Sequence, residues 1–147
     1  MTDLATNKKA FFDYEILEKF EAGLKLTGQE VKSVKNGHIS LKGAYITFHN
    51  NKAWLTNAHI SKYQPAGPMP DYDPTANREI LLHKKELRHL QTKTMEKGLT
   101  IVPLSVYTKL RFVKVQIGVG RGKKLHDKRE TIKKRDNERE LQRTLKN

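Results

Sequence analysis

The sequence predicts a mainly β protein: a small closed barrel of the oligonucleotide-binding type, with short flanking helices and a basic C-terminal tail. Three observations carry this. Six or so short runs of aromatic and β-branched residues are separated by turn residues. The length, 147 residues, allows one ordinary domain and an appendage, but no second full core. The composition breaks at Gly118-Val119-Gly120-Arg121-Gly122, beyond which large apolar residues thin to Leu125, Ile132, Leu141 and Leu145. The expected division is a flexible N-terminus over residues 1–9, a barrel over 10–120 and a tail over 121–147. An open α+β sandwich satisfies the same pattern.

Taken in order, residues 1 to about 9 are polar and small and read as a frayed end. Phe11 to Leu26 reads as two short strands with a bend at Ala22-Gly23. Thr27 stands three residues before Glu30, the spacing of a capping box, so Thr27 to Asn36 reads as a short helix burying Val31 and Val34, stopped by Asn36-Gly37. Tyr45–Phe48 and Ala53–Asn57 flank Asn50-Asn51, whose side chains tolerate positive φ, and read as a hairpin. Residues 61–77 hold four of the five prolines and read as a long surface loop. Arg78 to His83 returns as a strand. Lys84 to Lys97 carries Leu87, Leu90 and Thr94 at helical spacing, with Gly98 just past its end. Leu99–Leu110 and Phe112–Val119 read as strands, the second with Val113, Val115 and Ile117 alternating.

The formal net charge is +13. Charge of this size attracts polyanions, so nucleic acid and anionic membrane are the two partner classes it raises. No apolar run approaches the roughly 18 residues of a spanning helix, and no secretory signal is visible, which points away from membrane. The chain has no cysteine, excluding disulfides and thiolate metal sites and fitting a reducing cytoplasm. The tail alone holds eleven Lys and Arg against five Asp and Glu. Its four large apolar residues make no stripe wide enough to pack on a core. The physical expectation is a segment disordered alone that becomes helical on a partner, set against a charged helix fixed to the body.

No catalytic constellation emerges. Gly118-x-Gly120-x-Gly122 matches neither a dinucleotide loop nor a P-loop, since Lys123 and Lys124 follow, and reads as a hinge between barrel and tail. The six histidines show no metal spacing, and His126-Asp127 has no activated nucleophile beside it. The expectation is a binding protein without enzymatic activity, cofactor or metal. Phe11, Phe12, Phe20, Phe48, Trp54 and Phe112 read as core rather than stacking platforms. Glu21 is an acid among bases. It either accepts from a base edge or a 2′-hydroxyl, or pairs with Lys19 or Lys25.

Several segments then resemble one family. Asn7-Lys8-Lys9-Ala10, Phe20-Glu21-Ala22-Gly23, Leu26-Thr27-Gly28-Gln29-Glu30-Val31-Lys32-Ser33, Leu81-Leu82-His83-Lys84-Lys85-Glu86-Leu87, Thr100-Ile101-Val102-Pro103-Leu104 and Gly122-Lys123-Lys124-Leu125-His126-Asp127-Lys128-Arg129 look like the small protein B family, the bacterial SsrA-binding proteins. The likeness runs from about Asn7 to Arg143. It implies an oligonucleotide-binding-type barrel that binds the tRNA-like domain of transfer-messenger RNA and delivers it to stalled ribosomes for trans-translation. By that resemblance Asn7, Lys8, Glu21, Gly23, Lys25 and Leu81 match the RNA-binding positions. Lys123, Lys124, His126, Asp127, Lys128, Arg129, Ile132, Lys133 and Arg135 match the tail that enters the empty mRNA channel, near the decoding-site rRNA. Elongation factor Tu on the same RNA is a further implied partner. Nothing in the chain demands an oligomer, so a monomer is expected.

Overall fold

A computed structural model describes residues 3–146. The elements in chain order are β1 (Ala5–Thr6), α1 (Lys8–Asp13), β2 (Tyr14–Leu24), α2 (Gly28–Lys35), β3 (Ile39–Ser40), β4 (Tyr45–His49), β5 (Lys52–Thr56), β6 (His59–Ile60), β7 (Arg78–Leu81), α3 (Lys84–Thr94), β8 (Leu99–Lys109), β9 (Phe112–Gly122) and α4 (Leu125–Lys146). Seven strands form one antiparallel sheet in the order β1-β8-β9-β2-β7-β5-β4, and β3 pairs with β6 separately.

The mainly β fold with short helices is what the sequence predicts, but the sheet is not a closed barrel. β1 and β4 stand at opposite edges of the ladder. Part of β4 comes within 8 Å (Cα–Cα) of β8, so the sheet curls back on itself. Hydrogen bonding across that gap is absent among the described residues. β1 covers only two residues of the outer edge of β8, and the short β3–β6 pair sits apart from the ladder.

The first stretch departs from expectation. Residues 5–9 are not frayed: β1 pairs with β8, and Asn7 caps α1. Phe11 and Phe12 are helical, and Tyr14–Leu24 is one long strand. Ala22-Gly23 is no bend, because Gly23 pairs with Lys114 of β9 on one side and Leu81 of β7 on the other. A bulge between Ile16 and Glu18 leaves Leu17 outside the ladder and 41 % exposed.

α2 forms where its capping box predicts. The Glu30 amide donates to Thr27 Oγ1 at 3.2 Å, and the Thr27 amide donates to Glu30 Oε1 at 3.1 Å, stabilising the first turn by about 1 kcal/mol. The other Glu30 oxygen accepts from Arg78 Nη2 at 2.7 Å and Nε at 2.9 Å, while Arg78 Nη1 donates to Ala58 O. Both side chains are buried, so removing either would leave the other as an uncompensated buried charge. Tyr72 adds its hydroxyl and ties the expected 61–77 loop to the same network. Burial pushes the Tyr72 phenol up.

The core is aliphatic. Val34, Leu55, Ile60, Leu90, Val106, Val115, Ile117 and Val119 are essentially inaccessible. The expected core aromatics are not among them: Phe11, Phe12, Phe20, Phe48 and Trp54 are half-buried, and Phe112 is exposed.

The glycine run is not a hinge. Gly118, Gly120 and Gly122 alternate along one face of β9. A Cβ on Gly118 would lie 2.9 Å from Leu104 Cδ1 and 3.2 Å from Glu18 O, and one on Gly120 would lie 3.0 Å from Tyr14 Cβ. That face carries a second apolar cluster of Ala10, Val102 and Leu104 with Phe11, Tyr14 and Ile16 against it. Missing side chains on β9 make room for Tyr14, Ile16 and the Glu18 carbonyl of β2 and for Leu104 of β8.

Candidate nucleic-acid interface

β2 and β9 run antiparallel from the Tyr14–Gly122 pair to the Gly23–Lys114 pair and set the positions of two basic surfaces. At one end, Gly23 pairs with Lys114 and Leu81, and the chain turns from β8 into β9 through Leu110-Arg111. At the other end, Tyr14 pairs with Gly122, and α4 begins three residues later. The two pairs lie about 26–30 Å apart along the strands.

The first end holds a groove of ≈ 690 Å³, the largest of those described. Glu21, Gly23, Lys25 and Leu81 all line it. Leu81 is 51 % exposed, unusual for a leucine beside a core strand. Its position depends on Gly23, whose added Cβ would meet Leu81 Cβ at 3.3 Å. His83, the N-cap of α3, lines the same wall, and its amide donates to Glu86 Oε1 at 3.2 Å.

Glu21 pairs with neither Lys19 nor Lys25. Tyr107 donates its hydroxyl to Glu21 Oε2 at 2.6 Å, and Lys109 Nζ lies 3.2 Å from Oε1. The Tyr107 hydrogen bond, then Lys109, holds the Glu21 carboxyl below its ordinary value, so it is an anion at neutral pH. Burial and that carboxylate together push the Tyr107 phenol up. The groove therefore presents a fixed, acceptor-only group within a basic surround.

Asn7 and Lys8 are not in this groove. They line a second one of ≈ 430 Å³ with Lys9, Ser40 and Lys42. Asn7 serves the fold: its Oδ1 accepts from the Ala10 amide at 3.2 Å, and its Nδ2 donates to Pro103 O at 2.9 Å. Lys8 is exposed.

The tail is a 22-residue helix. Its start is fastened to α1. The Lys123 amide donates to Asp13 O at 2.8 Å. Lys123 Nζ donates to Phe11 O at 3.3 Å and Thr131 Oγ1 at 2.9 Å. Lys128 pairs with Asp13 at 3.3 Å. Lys128 Nζ and Arg135 Cζ stand 5.9 and 5.6 Å from the centre of the Phe12 ring. From Ile132 to Arg143 every side chain is exposed, including Lys133 and Arg135. Lys124 and Arg129 are exposed too. His126 faces Glu130 at 3.2 Å, one turn on. The side chain of Asp127 lies outside the described residues, as do Met1, Thr2 and Asn147.

The sequence reading missed Tyr107 and Lys109 as partners of Glu21, and Arg111, Phe112 and Lys114 as groove walls. It also missed the Phe12–Asp13 seat of the tail. The available signal was the alternation of β8 and β9 around a two-residue turn, which fixes which side chains share a face. Among the described residues no helix is long and apolar enough to cross a membrane.

With this geometry established, comparison with known proteins gives one answer. The family model for the SmpB protein matches residues 4–147. An SsrA-binding protein of Ligilactobacillus salivarius is 55% identical over 98% of this chain and 92% of its own length. Another, of Leuconostoc mesenteroides, is 56% identical over 98% of this chain and 93% of its own. A chain of a solved structure described as "tmRNA-SmpB: a journey to the center of the bacterial ribosome" superposes with a TM-score of 0.67 at 44% identity, covering 82% of this chain and 84% of that one. The chain belongs to the SmpB family, the SsrA-binding proteins.

Proposed function

We propose that this protein binds the tRNA-like domain of transfer-messenger RNA, delivers it to stalled ribosomes for trans-translation, and probes the empty mRNA channel with α4. Family membership and the likeness to a tmRNA–SmpB structure support the RNA and the ribosome as partners. One observation carries the division of labour: the groove and the exposed helix sit at opposite ends of β9. One small body can then hold one RNA while presenting a basic rod to another.

In this reading Glu21, Gly23, Lys25 and Leu81 grip the tRNA-like domain, with Asn7 and Lys8 in the second groove touching the same RNA. Cations set phosphate register, and the Glu21 carboxylate selects a donor on a base or a 2′-hydroxyl. Lys123, Lys124, His126, Asp127, Lys128, Arg129, Ile132, Lys133 and Arg135 face the ribosome. A helix this charged gains little from packing and much from counterions released by rRNA. Messenger RNA in the channel excludes it by bulk. Sensing a vacant channel is thus a matter of site occupancy and requires no catalysis. Elongation factor Tu occupies the same transfer-messenger RNA, and the protein acts as a monomer in the cytoplasm with the ribosomes.

Binding of the purified protein to ribosomes with an empty or a filled channel tests this. Retention on empty ribosomes and release on filling is the expected result. Equal retention on both contradicts the reading. Affinity for the tRNA-like domain should fall with salt at a log–log slope of about −4, for roughly five phosphates neutralised.

A further inference from the structure

We infer that Phe112 and Arg111, at the tip of the β8–β9 hairpin, form with Leu81 a clamp for one unstacked RNA base. The inference rests on the reading of the Glu21–Lys25 groove as an RNA site and gives that site its specificity.

The hairpin tip is built in a way that the fold does not require. Lys109 and Phe112 form its last pair, leaving Leu110-Arg111 as a two-residue loop. Leu110 has φ 57° and is 92 % exposed. A leucine in the left-handed region is sterically disfavoured, and one this exposed gains nothing from burial. Beside it, Phe112 is 65 % exposed. Single exposed apolar side chains are ordinary. Here, however, Phe112 and the exposed Leu81 line one groove, together with Lys25, Arg111 and Lys114.

That set matches the chemistry of a looped-out nucleotide. A base has a flat apolar face and needs a flat or branched apolar partner, which Phe112 and Leu81 supply. Its flanking phosphates need cations, which Lys25, Arg111 and Lys114 supply. Its amine or 2′-hydroxyl needs an acceptor, and Glu21 is fixed in place by Tyr107 and Lys109. Lys114 Nζ already stands 5.8 Å from the Phe112 ring centre, so ring and cation are presented as one unit. A base-paired duplex offers no exposed base face and cannot use the clamp. An acidic peptide would meet Glu21 and Glu86 in the same groove.

The test compares the full-length parent with Phe112→Ala, Phe112→Leu, Phe112→Trp and Lys25→Ala for binding to the tRNA-like domain of transfer-messenger RNA, with thermal melts confirming folding. Phe112 is exposed, so its variants should melt with the parent. Loss of one stacked base should weaken Phe112→Ala by about 5- to 150-fold without changing the salt slope. Phe112→Leu should fall between, and Phe112→Trp should keep parental affinity. Its new indole should also be quenched on RNA binding beyond any change from Trp54. Lys25→Ala should instead reduce the slope by about 1. If Phe112→Ala binds like the parent while Lys25→Ala is weakened, the clamp is wrong and the groove reading survives. If neither change alters binding, the groove reading fails and the clamp fails with it.

Discussion

The Glu21 carboxylate is held by donors that sit two strands away on β8. That is why its setting was only half legible. An acid among bases is visible in the sequence, and Lys19 and Lys25 are its obvious same-face neighbours on a strand. Tyr107 is 86 residues further along, and only the β2-β9-β8 order brings it near. The pairing carries a pH prediction. A carboxyl held below its ordinary 4.5 stabilises the fold above that value, and the contribution is lost as pH falls through the lower folded value. Tyr107 works in the other direction: its raised phenol favours the fold below its ordinary 10.0 and loses that effect as pH rises beyond it. In Tyr107→Phe, the Glu21 carboxyl titration followed by NMR should move up toward 4.5, while Lys109 continues to hold it partly down. An unmoved midpoint would place the cause elsewhere. The glycines of β9 make the same point about legibility. Their spacing of two is a strand pattern, but the absence of side chains on that face reads as flexibility until Tyr14, Ile16 and Leu104 are known to crowd it. Gly118→Ala should therefore destabilise by about 1–3 kcal/mol in chemical denaturation, since Glu18 O beneath it is backbone and cannot swing away. A destabilisation near zero would support the hinge reading instead.

Among the elements, those specified locally were read well. α2 carries its own capping box, and the β4–β5 hairpin turns at Asn50 and Asn51, both at positive φ. α3 forms where expected but ends at Thr94, three residues short of Lys97, with Gly98 at φ 85° in the turn that follows. α1 was lost because its apolar residues, Phe11 and Phe12, suit a strand equally, and six residues are too few to show a helical period. Its one sequence signal was Asn7, three residues before the amide it caps. α4 was expected to be disordered alone, or else fixed along the body. The structure shows a helix seated on Phe12 and Asp13 through its early turns and exposed beyond them. The seat consists of contacts to Lys123, Lys128 and Arg135, the same side chains that the resemblance assigns to the ribosome. Asp13→Lys replaces one attraction with a repulsion. Amide hydrogen exchange over residues 124–131 should accelerate in that variant, by about fivefold for a pair worth roughly 1 kcal/mol, while β2 and β9 stay protected. Unchanged exchange would mean that the ion pair does not hold the helix.

At the scale of the molecule, a formal charge of +13 is distributed rather than uniform. Part of it rings an apolar groove at one end of β9. Another part lines a helix with no apolar face at the other end, where Leu125, Ile132 and Leu141 are all exposed. The thinning of large apolar residues past Gly122 was legible from composition alone, because composition records how much apolar surface each stretch can bury. The openness of the sheet was not, since strand count is the same for a closed barrel and a curled open sheet. The central claim is that these two basic ends act on two different RNAs. Replacing Lys124, Arg129 and Lys133 together by Ala removes three exposed cations from the helix and leaves the groove untouched. The direct test is to measure that variant's affinity for the isolated tRNA-like domain and for ribosomes with an empty channel, under one salt condition. The account predicts an unchanged first affinity and a second weakened by about a hundredfold or more at physiological salt; a parallel loss of both would show a single continuous RNA surface and contradict it.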